Sequence, residues 1–575
     1  MQGLLSKYRQ SLTHYESIPS YAVLGIVGGL ASGLGILGFE WAIIRLAQLW
    51  GVGSAGENFE ALPPWALFVL PAAGAALLGL GFSLLKTEDR EVGIVHVISR
   101  MHSHYGMLPW RNALVQFFGG AFALATGQSG GREGPGVHLG GAINSLLGQK
   151  LGLPNNSLRV LIACGTAGGI AAAFHTPLAG VIFAMEVIVA EYTAFGFIPV
   201  MLAAVSATAI SRSLGGGAVL FSIPAVELNS MLEIPLIITL GLCCGVGVAA
   251  FIKISKLATH LAHWPIVVRF TLAGMLTGSL ALLAPQVLGI GYDTLNLALQ
   301  GKLALGVLFT IAGCKIVATS FSLGVGMPIG VIGPNLLIGA CIGGTLGATW
   351  QVLMPGLASD PILYVVVGMA AAMSAVLNAP LAAILAIVEL THNVNIGMPA
   401  LLAIIAANFT NGELFHQRSA HQAVLLQLKR LVPDDPVNQL LHRTDVTAGL
   451  EVDVVDVPVL LDQERADSLS SSVPGWCLIE RNGDSLYLVA GQDLAAWLAD
   501  NPPGEEPSDL TEAGIRRWTV APVPATATLH QALDTMRAET TEAVCVYQRG
   551  SGGTQVLQGI VRRETVEKFS LASVV

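Results

Sequence analysis

The sequence predicts a polytopic membrane protein with a duplicated membrane domain, followed by a small soluble α/β domain. Three observations carry this: a scarcity of charge, a change of composition near residue 416, and an internal repeat. Of 575 residues, 53% are hydrophobic and only 12% are charged. A soluble chain carries about 25% charged residues, so lipid must be the solvent for most of this surface. The 66 glycines agree, because small residues let membrane helices approach closely. A net charge of −9 without a basic stripe argues against nucleic-acid partners.

Long apolar runs follow one another from Tyr21 to Phe415, and the chain turns polar from His416. The reading is a membrane domain over 1–430, with repeats of about 20–245 and 246–430, and a soluble domain over 446–575. The first apolar stretch, Tyr21 to Leu49, is too long for a signal peptide and lacks a small-residue cleavage site. Lys7 and Arg9 precede it, and Arg418, Lys429, Arg430 and Arg443 follow the last apolar run. By the positive-inside rule both termini face the cytoplasm and the number of crossings is even. The seven cysteines form no CxxC pair, and those in apolar runs behave as small hydrophobes, so neither disulfides nor a metal site is expected.

The repeat is visible in two places. Gly165 to Ile188 reads GTAGGIAAAFHTPLAGVIFAMEVI, and Gly368 to Thr391 reads GMAAAMSAVLNAPLAAILAIVELT. This aligns Pro177 with Pro380 and Glu186 with Glu389. Upstream, Gly131-x-x-Gly134-Pro135 through Gly140 matches Gly330-x-x-Gly333-Pro334 through Gly339. Duplicated segments interrupted by glycine and proline mark a transporter whose site lies at the repeat interface, whether the repeats are parallel or inverted.

A helix broken within the bilayer is tolerated only inside protein or beside a water-filled path. Its N-terminus offers unsatisfied N–H groups and partial positive charge, which suits an anion without a buried lysine or arginine. Gly131–Pro135 and Gly330–Pro334 are the candidates, each with a proline suited to a first helical turn. Glu133 stands within the first. A carboxylate aimed at an anion site competes with the anion until it is protonated; the alternative is a structural pair with Arg132.

The stretch Gln116 to Gly148, QFFGGAFALATGQSGGREGPGVHLGGAINSLLG, resembles the core of the CLC chloride channel and transporter family, whose signature contains GREGP. The Pro-Leu-Ala turn with its glutamate, the GxxxP element before Asn335 and the Gly-Met-Pro turn upstream fit as well. The resemblance spans most of residues 20–430. It implies an all-α membrane domain of two inverted-topology repeats, a homodimer with one pore per subunit, and Glu133 as the external gate and proton acceptor. The anion site it implies comprises Val92, Gly93, Ile94, Gly134, Val331, Ile332 and His421, with Glu186 and His421 on a proton path. The implied task is transport of chloride or a similar small anion across the plasma (inner) membrane, coupled to protons or passive. No HExxH motif or nucleophile-plus-base pair appears, so an enzyme is not expected.

Three departures bear on selectivity. The family's GSGIP element appears as Glu91-Val92-Gly93-Ile94-Val95, so a valine replaces the serine hydroxyl and backbone N–H groups near Gly93 and Ile94 must serve. A tyrosine near the end of the domain is replaced by His421, which can donate and can titrate near neutrality; the bland alternative is a surface histidine. The second of two adjacent glutamates is Val187, as in uncoupled channels. Nitrate, bicarbonate or fluoride could therefore replace chloride. Duplication of Glu186 as Glu389 favours a structural role for that carboxylate.

The tail reads as a strand, a helix, two strands and a short helix; this β-α-β-β-α order resembles a CBS module, and the whole tail resembles a CBS pair, with a degenerate module over Thr447 to Asp500 and a better-fitting one over Trp518 to Leu571. It carries no nucleotide signature, so a structural or dimer-stabilising tail is expected rather than one binding an adenine nucleotide. No cofactor is expected.

Overall fold

The computed structural model describes residues 18–53, 56–190, 194–215, 221, 223, 226–428, 441, 444–481, 484–501, 507–511, 513–549 and 555–572. Within these the chain divides into two compact units. One is drawn from Tyr15–Leu151 and Leu158–Val432, the other from Pro433–Val575 with Gly152–Ser157.

The larger unit is all-α. Its first half holds α1 (Ile18–Leu49), α2 (Pro64–Ser83), α3 (Gly93–Ser103), α4 (Trp110–Ala125), α5 (Glu133–Leu151), α6 (Asn155–Phe174), α7 (Pro177–Phe183) and α8 (Ala194–Leu214). Its second half holds α9 (Ile234–Thr259), α10 (Ile266–Leu283), α11 (Tyr292–Leu299), α12 (Leu305–Gly324), α13 (Ile332–Leu353), α14 (Pro361–Leu377), α15 (Pro380–Thr391), α16 (Gly397–Phe409) and α17 (Ala420–Gln427). Nine helices among the described residues are long and apolar enough to cross a membrane.

The sequence repeat is a geometric repeat. Helix α4 ends at Ala125 and α12 at Gly324; α5 begins at Glu133 and α13 at Ile332. Each break turns on a glycine with left-handed backbone, Gly127 (φ +81°) and Gly326 (φ +87°), a conformation that a Cβ disfavours. Downstream, α5 crosses α6 where Gly140 meets Gly165, and α13 crosses α14 where Gly339 meets Gly368. A Cβ on Gly140 or Gly339 would lie 2.1 Å from the opposing glycine's carbonyl oxygen, which fixes both crossings as glycine-on-glycine.

The two halves exchange equivalent contacts. Glu186, in the π-helical turn Ala184–Val189, accepts from the N–H groups of Leu381 (3.3 Å) and Ala382 (2.8 Å) at the start of α15. Glu389 on α15 accepts from Leu178 (3.0 Å) and Ala179 (2.8 Å) at the start of α7. Each glutamate thus caps the Pro-Leu-Ala helix of the other repeat, where negative charge is favoured. Reciprocal capping and antiparallel pairing of matching segments are the arrangement of inverted repeats.

The tail unit contains two modules. The first runs β1 (Val454–Pro458), β2 (Leu460–Leu461), α18 (Gln463–Ser471), β3 (Trp476–Arg481), β4 (Asp484–Ala490) and α19 (Gly491–Asp500). After β5 (Ser508–Asp509) the second runs β6 (Val520–Pro524), α20 (Leu529–Ala538), β7 (Ala543–Arg549), β8 (Gln555–Arg562) and α21 (Arg563–Ala572). Both sheets have one topology: β1 is parallel to β3 and β6 to β7, while β4 and β8 pair antiparallel with the strand before them. The modules pair crosswise through Leu488 with Trp518 and Glu451 with Ile560. The module that reads as degenerate in sequence has the complete topology of its neighbour.

Candidate functional site

The two broken helices meet tip to tip. Gly131 N–H donates to the Gly330 carbonyl (2.8 Å), and Gly330 N–H donates back to the Gly131 carbonyl (2.7 Å). This antiparallel bridge joins matching positions of the two repeats. A Cβ on Gly134 would come within 2.6 Å of Gly330 Cα, so glycine is what lets the loops touch. Pro135 and Pro334 each stand third in their helices, inside the first turn, where a missing N–H costs little. The positive ends of α5 and α13 are thereby brought together within the protein, as a site for negative charge.

Glu133, the first residue of α5, is completely buried there. One carboxylate oxygen accepts from Gly333 N–H of α13 at 3.2 Å, and the other accepts from the Tyr292 hydroxyl. Glu133 does not pair with Arg132. That guanidinium forms an ion pair with Glu40 (3.2 Å), donates to the Ala173 carbonyl (3.1 Å), and lies 5.2 Å over the Tyr292 ring.

Gly134 and Gly330 also line a cavity of about 540 Å³. Val92, Gly93, Ile94, Gly134 and His421 all line it, so five of the expected anion-site residues surround one space. Arg90, Arg269 and Glu91 line the same cavity, two cations to one carboxylate, an excess of positive charge that favours anions. Val331 and Ile332 do not line it; they are fully buried as N-cap and first residue of α13.

Two expectations about side chains and donors change. His421 is 3% exposed on α17 and is not a surface histidine; its Nδ1 is buried without a hydrogen-bond partner among the described residues. Gly93, left-handed at φ +78°, does not offer its N–H to the cavity: that group donates to Gln116 Oε1 at 2.7 Å. Gln116 in turn donates to the Pro328 carbonyl at 3.1 Å, tying the start of α3 to the Gly-Met-Pro turn. Glu186 lies at the α15 cap with both oxygens engaged. Val187 beside it is partly buried against the hydrophobic core.

Sequence reasoning missed Tyr292 and Glu40. Tyr292 touches Glu133 from 159 residues downstream, on α11, where no repeat or motif draws attention. Glu40 is a single carboxylate in the 32-residue apolar helix α1, and that isolation was the available signal, since ionisable groups in such segments are costly.

Residues 74–412 match the family model described as voltage gated chloride channel. A ClcB-like chloride channel protein of Ralstonia nicotianae is 32% identical over 401 residues, covering 68% of this chain and 92% of that protein. The H(+)/Cl(-) exchange transporter ClcA of Vibrio cholerae is 29% identical over 435 residues, covering 72% and 93%. Among solved structures, a slow cyanobacterial Cl-/H+ antiporter superposes with TM-score 0.62 at 24% identity over 71% of this chain and 98% of its own. A eukaryotic CLC transporter superposes with TM-score 0.57 at 20% identity over 98% of both chains, so that likeness of fold includes the tail.

Proposed function

Because the chain belongs to the voltage gated chloride channel family, we propose that it carries chloride, or an anion of similar size and charge, across a bilayer in exchange for protons. One observation carries this reading. The Glu133 carboxylate occupies the N-terminus of a broken helix and accepts its backbone N–H, which is where a free anion would bind. The side chain is then a tethered competitor. Ionised, it fills the site; protonated, it loses its charge and leaves the site to the anion. Anion and proton movements are linked because one group governs both. A site built of helix ends also holds an anion loosely enough for release.

The curated relatives named as H(+)/Cl(-) exchange transporters support exchange and chloride. Val187 favours the second reading, passive conduction, because it supplies no carboxylate beside Glu186. We further read the tail as a CBS-like pair, supported by its two matching β-α-β-β-α modules, the assembly as a homodimer, and both termini as cytoplasmic in a plasma (inner) membrane.

The test is flux in liposomes. A chloride gradient should drive protons against their own gradient. Glu133→Gln, which imitates the protonated side chain, should leave anion flux while abolishing proton movement and pH dependence. Unchanged pH dependence in that variant would remove Glu133 from the gate. Wild-type anion flux with no proton movement would establish the passive reading.

A further inference from the structure

Tyr292 is the first residue of α11 and follows Gly291, whose backbone is left-handed (φ +87°). The ring is 4% exposed. Arg132 lies over it, the Phe221 ring meets it edge-on at 5.2 Å, and Phe174 stands at 6.2 Å. Arg132 is itself held by Glu40 and the Ala173 carbonyl. The phenol therefore has little freedom, and its hydroxyl donates to Glu133.

We propose that Tyr292 is a positioning residue that latches the gate, its hydroxyl holding the ionised Glu133 carboxylate in the anion site. The inference rests on the reading of Glu133 as the gate. A hydroxyl donates more strongly to a carboxylate than to a neutral carboxylic acid. The latch therefore stabilises the closed, ionised gate more than the protonated one. The other charged groups nearby are Arg132, Glu40, Glu57, Asp293 and Lys315. Lys315 is engaged by the Val287 and Gly289 carbonyls at 3.0 and 2.9 Å. None of these replaces the hydroxyl's direct contact with the Glu133 oxygen.

Tyr292→Phe isolates the effect, because it keeps the ring under Arg132 and between the two phenylalanines and removes only the donor. In liposomes the pH of half-maximal anion flux should rise by roughly one to two units, the size of one hydrogen bond to a charged group. In a Glu133→Gln background the same substitution should change nothing further, since no carboxylate remains to latch. A purely structural tyrosine would lower flux at every pH without moving the midpoint. An unmoved or lowered midpoint in Tyr292→Phe, with pH dependence lost in Glu133→Gln, would overturn the latch and leave the gate standing. Persistence of pH dependence in Glu133→Gln would overturn the gate itself. If Tyr292→Phe does not fold, 3-fluorotyrosine at position 292 keeps the shape and donates more strongly. The midpoint should then fall, and a fixed or raised one would overturn the proposal.

Discussion

Glu57 lies in the loop between α1 and α2, half-buried and facing the charges around the gate. Burial pushes its carboxyl up from 4.5 to about 7; Arg132 pulls it down and Asp293 pushes it up. The folded protein thus holds this proton more tightly than the unfolded chain does. For an acid raised on folding, stability is greatest below the unfolded pKa and is lost as pH rises through the folded one. The expectation is a melting temperature in detergent that falls between about pH 4.5 and 7 in wild type and falls less in Glu57→Gln. Equal slopes would show that Glu57 titrates at its ordinary value. Glu133 was legible at this scale because GREGP is a local pattern of five residues. Tyr292 and Glu57 were not, because folding alone brings them near Glu133 and nothing in their flanking sequence marks them; Glu40 was marked only by its isolation in an apolar helix.

Among the elements, the clearest message of the sequence was the Pro-Leu-Ala helix followed by a glutamate, written twice. The duplication was visible, but its purpose was not, since each carboxylate caps the helix of the other repeat and not its own. Gln116 is similar: it opens the Gln116–Gly148 stretch, while its tie to Gly93 spans 23 residues. The first tail module read as degenerate because its residues depart from the pattern, yet strand pairing depends on alternating burial more than on identity. The reciprocal caps make a prediction. Glu186→Gln and Glu389→Gln should destabilise the protein equally. The cost should be roughly 1.5 kcal/mol each, the low end for hydrogen bonds to a charged group, because both carboxylates are partly exposed. Thermal unfolding in detergent measures the cost, and liposome flux measures the consequence. Matched losses with proton movement intact would make Glu186 a cap only. Loss of proton movement in Glu186→Gln alone would give it the relay role that the resemblance implied.

For the molecule as a whole, a scaffold with near two-fold internal symmetry carries an asymmetric pair of charges, since Arg132 stands where the second repeat has Val331. Glu133 stands where the second repeat has Ile332. The glycines, prolines and caps that frame Glu133 are duplicated, while the carboxylate proposed as the gate is single. Every residue named around Glu133 and the cavity belongs to the larger unit, and the tail modules bury apolar cores of their own, for example Val523, Leu529, Met536 and Val546. The Ralstonia relative points the same way, since 401 aligned residues make up 92% of it and leave no room for a further domain of about 130 residues. Removing everything after about Arg443 should therefore leave a folded protein with anion flux within about tenfold of wild type, an allowance of roughly 1.4 kcal/mol in the balance of open and closed gates. Light scattering in detergent should give the same number of subunits per particle as the full chain. A truncated protein that aggregates or falls to monomers would make the tail part of the assembly. One that keeps its subunits but loses flux more than tenfold, with recovery on adding Glu133→Gln, would show instead that the tail acts on the gate.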